Sequence, residues 1–258
     1  MIDQRVIKIG RVIKARLKPS YGNLGNRSLV NYLLADDFQQ ELKDKLCILT
    51  AQEQSRYPLS GKTSLYIEVA SDRIISLPGV LKNIMDACNK VIYSDDSAVE
   101  AVLIKKAEKD GLYDSLGITI LDGRPIKGIN DTAVDMKNSI ALQLHTITVL
   151  ESNYLPYPPD ASFVDIEGGL NVSDNDLRAE IERKYKSNII PGAVAISINI
   201  ATMQPRVDID NVALNYLTGM TGIVYQGLTD IKTLHIRMKR CKSPLIEGCI
   251  IQVSDHYG

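Results

Sequence analysis

Several stretches of this chain alternate apolar and polar residues in the way expected of half-buried β-strands. The clearest are GKTSLYIEV (Gly61 to Val69) and GAVAISINI (Gly192 to Ile200), which both open with glycine. Each is followed by a segment, Pro78 to Lys106 or Asp210 to Met238, that reads as an amphipathic helix, a turn, an apolar residue before tyrosine, and another strand. Helices and strands mixed in this order predict an α+β fold.

These segments correspond in pairs along the chain. The two strands are offset by 131 residues, and after a slip of one residue the longer segments match at an offset of 132. A helix expected from about Asp37 to Arg56 matches one that opens at Ser173 and runs through DNDLRAEIERKY. A strand expected over Arg5 to Leu17 matches Ser139 to Val149.

The order and spacing of these matched elements indicate a tandem duplication. Chance similarity is the alternative, because few residues are identical between the copies. Repeat 1 then covers residues 1–122, a linker rich in Gly, Asp and Asn covers 123–138, and repeat 2 covers 139–258. We expect the two copies to pack about a pseudo-twofold axis, as the subunits of a symmetric dimer do.

The composition is that of a folded soluble protein, with 45% apolar and 24% charged residues and no low-complexity tract. No apolar run approaches the roughly 18 residues of a membrane span, and charges interrupt the N-terminus where a signal peptide would be apolar. We therefore expect a cytoplasmic protein with no membrane partner. The four cysteines lack a C-x-x-C spacing and the three histidines lie far apart, so neither a zinc site nor a disulfide framework is expected.

Positive charge is concentrated in two clusters, although the net charge of the chain is only -1. The first lies in the N-terminal strand, where period-two alternation is expected to place four basic residues on one face: Lys8, Lys14, Arg16 and Lys18. The second lies near the C-terminus and includes Arg237, Lys239 and Arg240. Each cluster fits either a DNA-phosphate contact or a solvated strand face, and the sequence alone favours neither.

Two aspartates in RVDIDN are the sharpest candidates for metal binding. Asp208 and Asp210 lie two residues apart on a segment that follows an apolar strand and opens a helix. Carboxylates at this spacing on an extended chain point to the same side, where both can bind a hard cation such as Mg²⁺ or Mn²⁺. The alternative is that Asp210 simply caps the helix.

A second acidic pair lies in YSDDS, in the turn between a helix and a strand. Asp95 and Asp96 are adjacent there, and acids in turns are often no more than solvated turn formers. Lys82 lies near the start of the preceding helix, where a cation could neutralise a phosphate or a leaving oxygen. The three residues become candidates for a functional site only because of their position relative to RVDIDN.

Taken in order, these motifs resemble the RusA-like Holliday junction resolvases. That family combines a basic strand, a long loop, a helix, an apolar strand opened by P-L-x-G, then D-x-D-N-x-x-K, a helix, an apolar-Tyr-x-D-D step and two final strands. Repeat 1 is similar in PLSG (Pro58 to Gly61), Lys82, Asp86 with Ala87, and YSDDS. Repeat 2 is similar in its Pro-Gly pair at 191–192, in DIDN (208–211) and in GIVY (222–225).

The departures from the family pattern are complementary between the repeats. Ser76 and Pro78 stand where repeat 2 has its D-x-D pair, and Gly227, Leu228 and Leu214 stand where repeat 1 has Asp95, Asp96 and Lys82. The family acts as a homodimer whose metal site is thought to depend on dimer formation. The resemblance therefore implies one composite site, made of Asp95 and Asp96 from one repeat and Asp208 and Asp210 from the other.

The resemblance implies a magnesium-dependent endonuclease on branched, Holliday-junction-like DNA, built as a single-chain pseudo-dimer. In that interpretation the four aspartates bind the metal, Lys82 assists with charge, and the two basic clusters contact the DNA backbone. Plain decay is the alternative. A duplicated domain that lost both sites would be a catalytically silent descendant that binds DNA or a protein partner.

Overall fold

The computed structural model of this α+β chain has a nine-stranded mixed sheet on which the helices pack. The residues that the structure describes are 7–9, 12–17, 33–34, 36–51, 57–59, 61–107, 115–122, 163–168, 177–179, 181–182, 189–240, 242 and 248–255. The strands are β1 (Ile7–Ile9), β2 (Val12–Leu17), β3 (Thr63–Ala70), β4 (Val99–Ala107), β5 (Ser115–Asp122), β6 (Phe163–Gly168), β7 (Val194–Thr202), β8 (Ile231–Arg240) and β9 (Gly248–Asp255). The longer helices are α1 (Asp36–Ala51), α2 (Leu77–Cys88) and α3 (Ile209–Met220). Two short 3-10 helices, η1 (Asp96–Ala98) and η2 (Leu228–Asp230), precede β4 and β8.

The strand order is β1-β2-β5-β3-β4-β8-β7-β9-β6. Within the described strands, β3 with β4 and β7 with β8 are the parallel neighbours, and each of these pairs has an irregularity at its first residues. Both parallel units are crossed by a helix, α2 or α3, as such connections require. The two units meet where β4 pairs with β8 in antiparallel fashion, and we call these two strands the central pair.

One face of the sheet holds the apolar core. Alternate residues of the strands are buried there because successive side chains of a strand point to opposite faces. In β3 and β7 these residues are Leu65, Ile67, Val69, Ile196, Ile198 and Ile200. Helices α2 and α3 pack on this face, with Leu77, Val80, Leu81 and Ile84 of α2 almost fully buried. Area buried in this way contributes about 25 cal/mol per Å², so the core fixes where each helix begins.

Both helices end in the same kind of turn. The hydroxyl of Tyr93 donates to the Met85 carbonyl, and the hydroxyl of Tyr225 donates to the Leu217 carbonyl. Each turn contains one residue with positive φ: Lys90 at 66° and Gly222 at 77°. Glycine adopts this conformation without strain, whereas lysine does so at a cost. The buried tyrosine and its hydrogen bond hold the turn in both places.

The predicted N-terminal strand is wrong in one respect. Residues from 7 to 17 form two antiparallel strands, β1 and β2, in which Ile9 pairs with Val12. The chain therefore reverses inside the predicted strand, and period-two counting cannot continue across the reversal. Lys8 pairs with Ile13, whereas Lys14 pairs with Ile7. Because paired residues share a face, this register places Lys8 on the opposite face of the two strands from Lys14 and Arg16. Lys18 lies outside the described residues.

The other predicted elements are described in part. Helix α1 spans Asp36–Ala51, and positions 52–56, over which the predicted helix continues, lie outside the described residues. Of the helix predicted from Ser173, positions 177–179 and 181–182 are described and helical, and Leu177 packs against Gly219 of α3. Ser139 to Val149 lies outside the described residues. Strand β6 pairs with β9 in the same antiparallel way that β2 pairs with β5.

No helix in the described ranges is long and apolar enough to span a membrane.

His235 provides a test of the central pair. It lies opposite Leu103 and is 5% exposed, and burial, followed by the charge of Arg237, lowers its pKa to about 4. The unfolded chain protonates this side chain near pH 6.5, so the folded chain loses stability as pH falls from 6.5 toward 4. The two pKa values correspond to about 3 kcal/mol. His235→Leu should remove this contribution.

The measurement is urea unfolding of the wild-type and His235→Leu chains at pH 7.5, 6 and 5. We expect the free energy of unfolding of the variant, relative to wild type, to rise as pH falls. A difference that stays constant across this range would show that His235 is not a buried neutral group.

Candidate functional site

The four predicted aspartates lie at the starts of two elements, α3 and η1, in the connections within the parallel units. Asp208 is the residue before α3 and Asp210 lies in its first turn. Asp95 is the residue before η1 and Asp96 is its first residue. The first two belong to the connection from β7 into α3, and the last two belong to the turn between α2 and β4.

Asp208 does not cap α3 with its side chain. It occupies the N-cap position, yet its carboxylate makes no capping hydrogen bond, and its Oδ2 instead accepts 3.0 Å from Asn211 Nδ2. At the corresponding place in α2 the Ser76 hydroxyl does accept from the Gly79 N–H. Asp210 lies in the first turn of the helix, where the N–H groups of Asn211 and of Asp210 itself interact with its carboxylate. Asp208, at the N-cap position, makes no such bond to the helix backbone.

Asp210 is a buried carboxylate with one oxygen left over. Its side chain is 9% exposed, and its Oδ1 has no hydrogen-bond partner. Lys82 on α2 approaches from across the central pair, with Nζ 3.9 Å from Asp210 Oδ2. Burial raises the pKa of Asp210, Lys82 lowers it, and Asp208 raises it again. A buried acceptor without a donor is costly, and a bound cation would satisfy it.

Asp96 shares this environment although it belongs to the other parallel unit. Burial, followed by the charges of Asp208, Asp210 and Asp86, raises the pKa of Asp96 to about 7. Asn89 Nδ2 donates to Asp96 Oδ2 at 2.8 Å, while Asp96 Oδ1 is buried without a partner. Carboxylates that raise one another's pKa are close enough to repel. We call Asp96, Asp208, Asp210 and Lys82 the acidic centre.

Asp95 takes a different position from its neighbour. Its Oδ1 accepts 3.0 Å from the Ser97 N–H and so caps η1. A hydrogen bond with the Ser97 hydroxyl, followed by this bond from the Ser97 N–H, lowers the pKa of Asp95, and Lys90 and Arg206 lower it further. Asp95 therefore remains ionised. Its carboxylate is used to cap η1, and we do not count it in the acidic centre.

Two residues near the centre, one in α2 and one directly after it, were not among the predicted site residues. Asp86 raises the pKa of Asp96, and Asn89, the C-cap of α2, holds one oxygen of the same side chain. Lys82 and Asp86 are four residues apart, which places them on one helix face, and Asn89 follows three residues later. That spacing was visible in the sequence, and it could have extended the predicted site along α2.

The donors present suit Mg²⁺ better than a metal enclosed by protein ligands alone. Within the part of the chain that the structure describes, no group of three His, Cys, Asp or Glu side chains could by itself hold a metal ion. Mg²⁺ commonly uses one or two carboxylates and completes its shell with water and substrate phosphate. Asp96 Oδ1 and Asp210 Oδ1 are two such oxygens without other partners. They fit this kind of cation.

The predicted basic residues lie in two places. Arg237, Lys239 and Arg240 are in the second half of β8, where Arg240 Nη2 donates 2.9 Å to the Pro205 carbonyl and Lys239 is exposed. Pro205 belongs to the connection that leads to Asp208. Lys8, Lys14 and Arg16 lie in β1 and β2, at one edge of the sheet. Arg240 is thus close to the connection that leads into the acidic centre, whereas Arg237 and Lys239 alternate onto the other face of β8. The N-terminal residues are separated from the centre by β5 and β3.

Comparison with known proteins gives no family for this arrangement. A scan against protein-family models finds no match, and a search of curated proteins finds none. The interpretation of the acidic centre consequently depends on its own geometry.

The crowding of the acidic centre can be measured directly. We expect Asp96 to titrate near pH 7, and Asp210→Asn should lower its pKa because one repelling charge is removed. Carboxyl-carbon NMR of the wild-type and variant chains gives both midpoints. Asp44→Asn, an exposed change on α1, is the control and should leave Asp96 unaltered. An Asp96 midpoint near 4 in the wild-type chain would contradict the crowded arrangement.

Proposed function

We propose that the chain is a tandem duplication of a RusA-like domain, folded as a single-chain pseudo-dimer, and that it is a magnesium-dependent endonuclease acting on branched DNA. The register of the central pair supports the duplication. Leu103 lies opposite His235, and these residues are 132 apart, which is the offset of the sequence match. On either side of it, Ala101 pairs with Arg237 and Lys105 pairs with Thr233. A shift of 132 residues converts the first of these pairs into the second. A pseudo-twofold axis through the central pair accounts for this pattern.

Hydrogen bonds outside the helices and strands also occur twice. Leu59 N–H donates to Ile92 O, and Ile190 N–H donates to Val224 O, both at 2.7 Å. Ser71 Oγ accepts from the Arg73 N–H, and Thr202 Oγ1 accepts from the Gln204 N–H. These contacts recur at offsets of 131 or 132 residues. Chance similarity of two sequences offers no reason for such agreement in loops.

One observation carries the functional proposal. The acidic centre takes Asp96 and Lys82 from the first repeat and Asp208 and Asp210 from the second, which is the division expected of an interfacial site. The two orphaned oxygens, Asp96 Oδ1 and Asp210 Oδ1, come one from each repeat. A structural ion pair needs only one acid for Lys82. Three crowded acids around one lysine favour either an additional cation or a proton on one of the carboxylates.

The residues of the centre can then be assigned roles in phosphodiester hydrolysis. A bound Mg²⁺ ion would activate water for attack and stabilise charge on the phosphate. Asp96 and Asp210 would hold it through their unpartnered oxygens, with Asp208 adjacent. Lys82 is half-exposed and lies at the edge of the centre, so its ammonium can turn from Asp210 to an incoming phosphate oxygen. Asn89 keeps Asp96 oriented through Oδ2.

The remaining basic residues would hold the DNA. Lys239 and Arg240 lie at the end of β8 nearest the acidic centre. Lys14 and Arg16 would extend the DNA contact to the edge of the sheet. Contacts with phosphates recognise the shape of a junction and give little sequence selectivity. Because the described residues contain one acidic centre, each molecule should cut one strand, and paired cuts should require two molecules.

A second candidate is the catalytically silent descendant that binds DNA or a protein. Lys82 already contributes a positive charge beside Asp210, which would make a metal unnecessary for stability. Titration with Mg²⁺ or Mn²⁺ separates the candidates, since the silent protein should show no saturable binding at the acidic centre.

Asp210→Asn tests the nuclease. We expect it to lower the cleavage rate of a four-way junction by at least 100-fold in Mg²⁺, because a ligand oxygen and its charge are lost. Junction binding without metal should stay equal or become slightly tighter, since a negative charge near the phosphate is removed. Asp44→Asn should cleave as wild type does. Cleavage by Asp210→Asn at the wild-type rate would rule out the acidic centre as the catalyst.

The N-terminal basic residues supply a separate test of DNA contact. We expect Lys14→Ala, Arg16→Ala and Lys18→Ala together to weaken junction binding and to flatten its dependence on salt, because fewer counterions are released. Fluorescence anisotropy at several salt concentrations measures both. If affinity and slope match those of the wild-type chain, this strand faces solvent and takes no part in binding.

A further inference from the structure

The opposite end of the central pair has lost its acids. If the proposed duplication is correct, its pseudo-twofold axis relates the acidic centre to a second location at the start of α2. Ser76 and Pro78 stand there in place of Asp208 and Asp210, and Gly227 and Leu228 stand in place of Asp95 and Asp96. Helix α2 contacts η2 at this location. None of the four replacements is a metal ligand of the kind that Mg²⁺ prefers.

Two lysines occupy this end of the central pair. Lys106 and Lys232 come one step beyond the last recorded pair, Lys105 with Thr233, and so face each other across the two strands. Lys106 Nζ donates 2.7 Å to the Arg73 carbonyl in the segment before α2. Lys232 Nζ donates 2.7 Å to the Thr229 carbonyl in η2. Both ammonium groups are therefore held beside the start of α2, and we call them the basic pair.

The positive charge of the basic pair is only partly balanced. Like charges directly opposite each other on neighbouring strands are destabilising. Burial and the charge of Lys106 lower the pKa of Lys232, and Asp230 opposes this effect. Asp230 is also engaged through its Oδ2, which accepts from the Gly227 N–H. Two other acids on nearby strands have lysine partners, with Glu68 held by Lys105 at 2.9 Å and Glu100 held by Lys62 at 2.6 Å.

The two ends of the central pair thus carry different side chains at corresponding positions. The basic pair at one end corresponds, at an offset of 132, to Glu100 and Met238 at the other. Loss of the acids would have sufficed to inactivate the second location, whereas the gain of two facing lysines gives it an affinity for anions. The ammonium groups still have two donors each after their carbonyl bonds, which suits phosphate oxygens.

We propose that the basic pair is a phosphate-binding site that holds a backbone phosphate of the DNA strand that is not cut. This inference rests on the proposed duplication and DNA substrate. Strand β4 has nine residues between the two ends, a length of about 30 Å. A junction that spans this length at the surface would contact the acidic centre with one strand and the basic pair with another. The old second active site would then serve to place the substrate.

The test is junction binding by Lys106→Gln, Lys232→Gln and the double variant, measured by anisotropy in EDTA so that no strand is cut. Lys43→Gln on α1 is the control for loss of one surface charge. Lys106→Arg with Lys232→Arg keeps both charges and controls for folding. We expect the double Gln variant to bind about 10-fold more weakly and to reduce the salt slope by about 1 to 2 units, with the Arg variant close to wild type.

Each result separates this inference from the nuclease proposal. A double Gln variant that binds like Lys43→Gln overturns the phosphate site, even if the wild-type chain cuts junctions. Binding that depends on both lysines in a chain that cuts nothing supports the phosphate site and overturns the nuclease. A wild-type chain that does not bind junction DNA at all overturns both.

Discussion

The antiparallel contact between β4 and β8 is the interaction on which the rest of the structure depends. It joins two parallel strand units into one nine-stranded sheet, and it brings α2 and α3 side by side on the same face. Without it, Asp96 and Lys82 would lie in one body and Asp208 and Asp210 in another. At the midpoint of the contact, Leu103 lies opposite a buried histidine whose burial favours the uncharged ring.

The chemistry of the acidic centre follows from burial without full pairing. A carboxylate in a partly dry environment is stable when hydrogen bonds or opposite charges satisfy both oxygens. Asp95 is less buried than Asp96, and the hydroxyl and the N–H of Ser97 lower its pKa. Asp96 and Asp210 meet this condition for one oxygen each, and their pKa values rise. The difference between neighbours in one turn shows that position, rather than residue type, separates a capping acid from a candidate ligand.

The sequence predicted the α+β class and the elements around the candidate site because their signals are local. Glycine-opened strands and the apolar faces of α2 and α3 are read from short windows, and the buried tyrosines mark the turns. The reversal between β1 and β2 was missed, since both strands have the same alternation and period-two counting does not detect a change of direction.

The approach of Lys82 to Asp210 and the contribution of Asn89 depend on contacts between distant segments, which spacing along the chain does not specify. The pairing of Asp96 with the second acidic motif was expected only from the family resemblance. The proximity of Lys106 and Lys232 was also invisible in the sequence. The two lysines are far apart along the chain and become neighbours only through the register of β4 and β8.

Both sides of the central pair belong to one polypeptide, and this changes how the acidic centre is assembled. A centre shared between separate subunits forms by a bimolecular step and is lost on dilution. Here the two sides are tethered, so their effective concentration is set by the connecting chain and not by the amount of protein present. The tether also lets the two ends of the central pair change independently, because a substitution in this chain occurs at one end and is not copied to the other by symmetry. An acid at one end and a lysine at the other are then free to coexist.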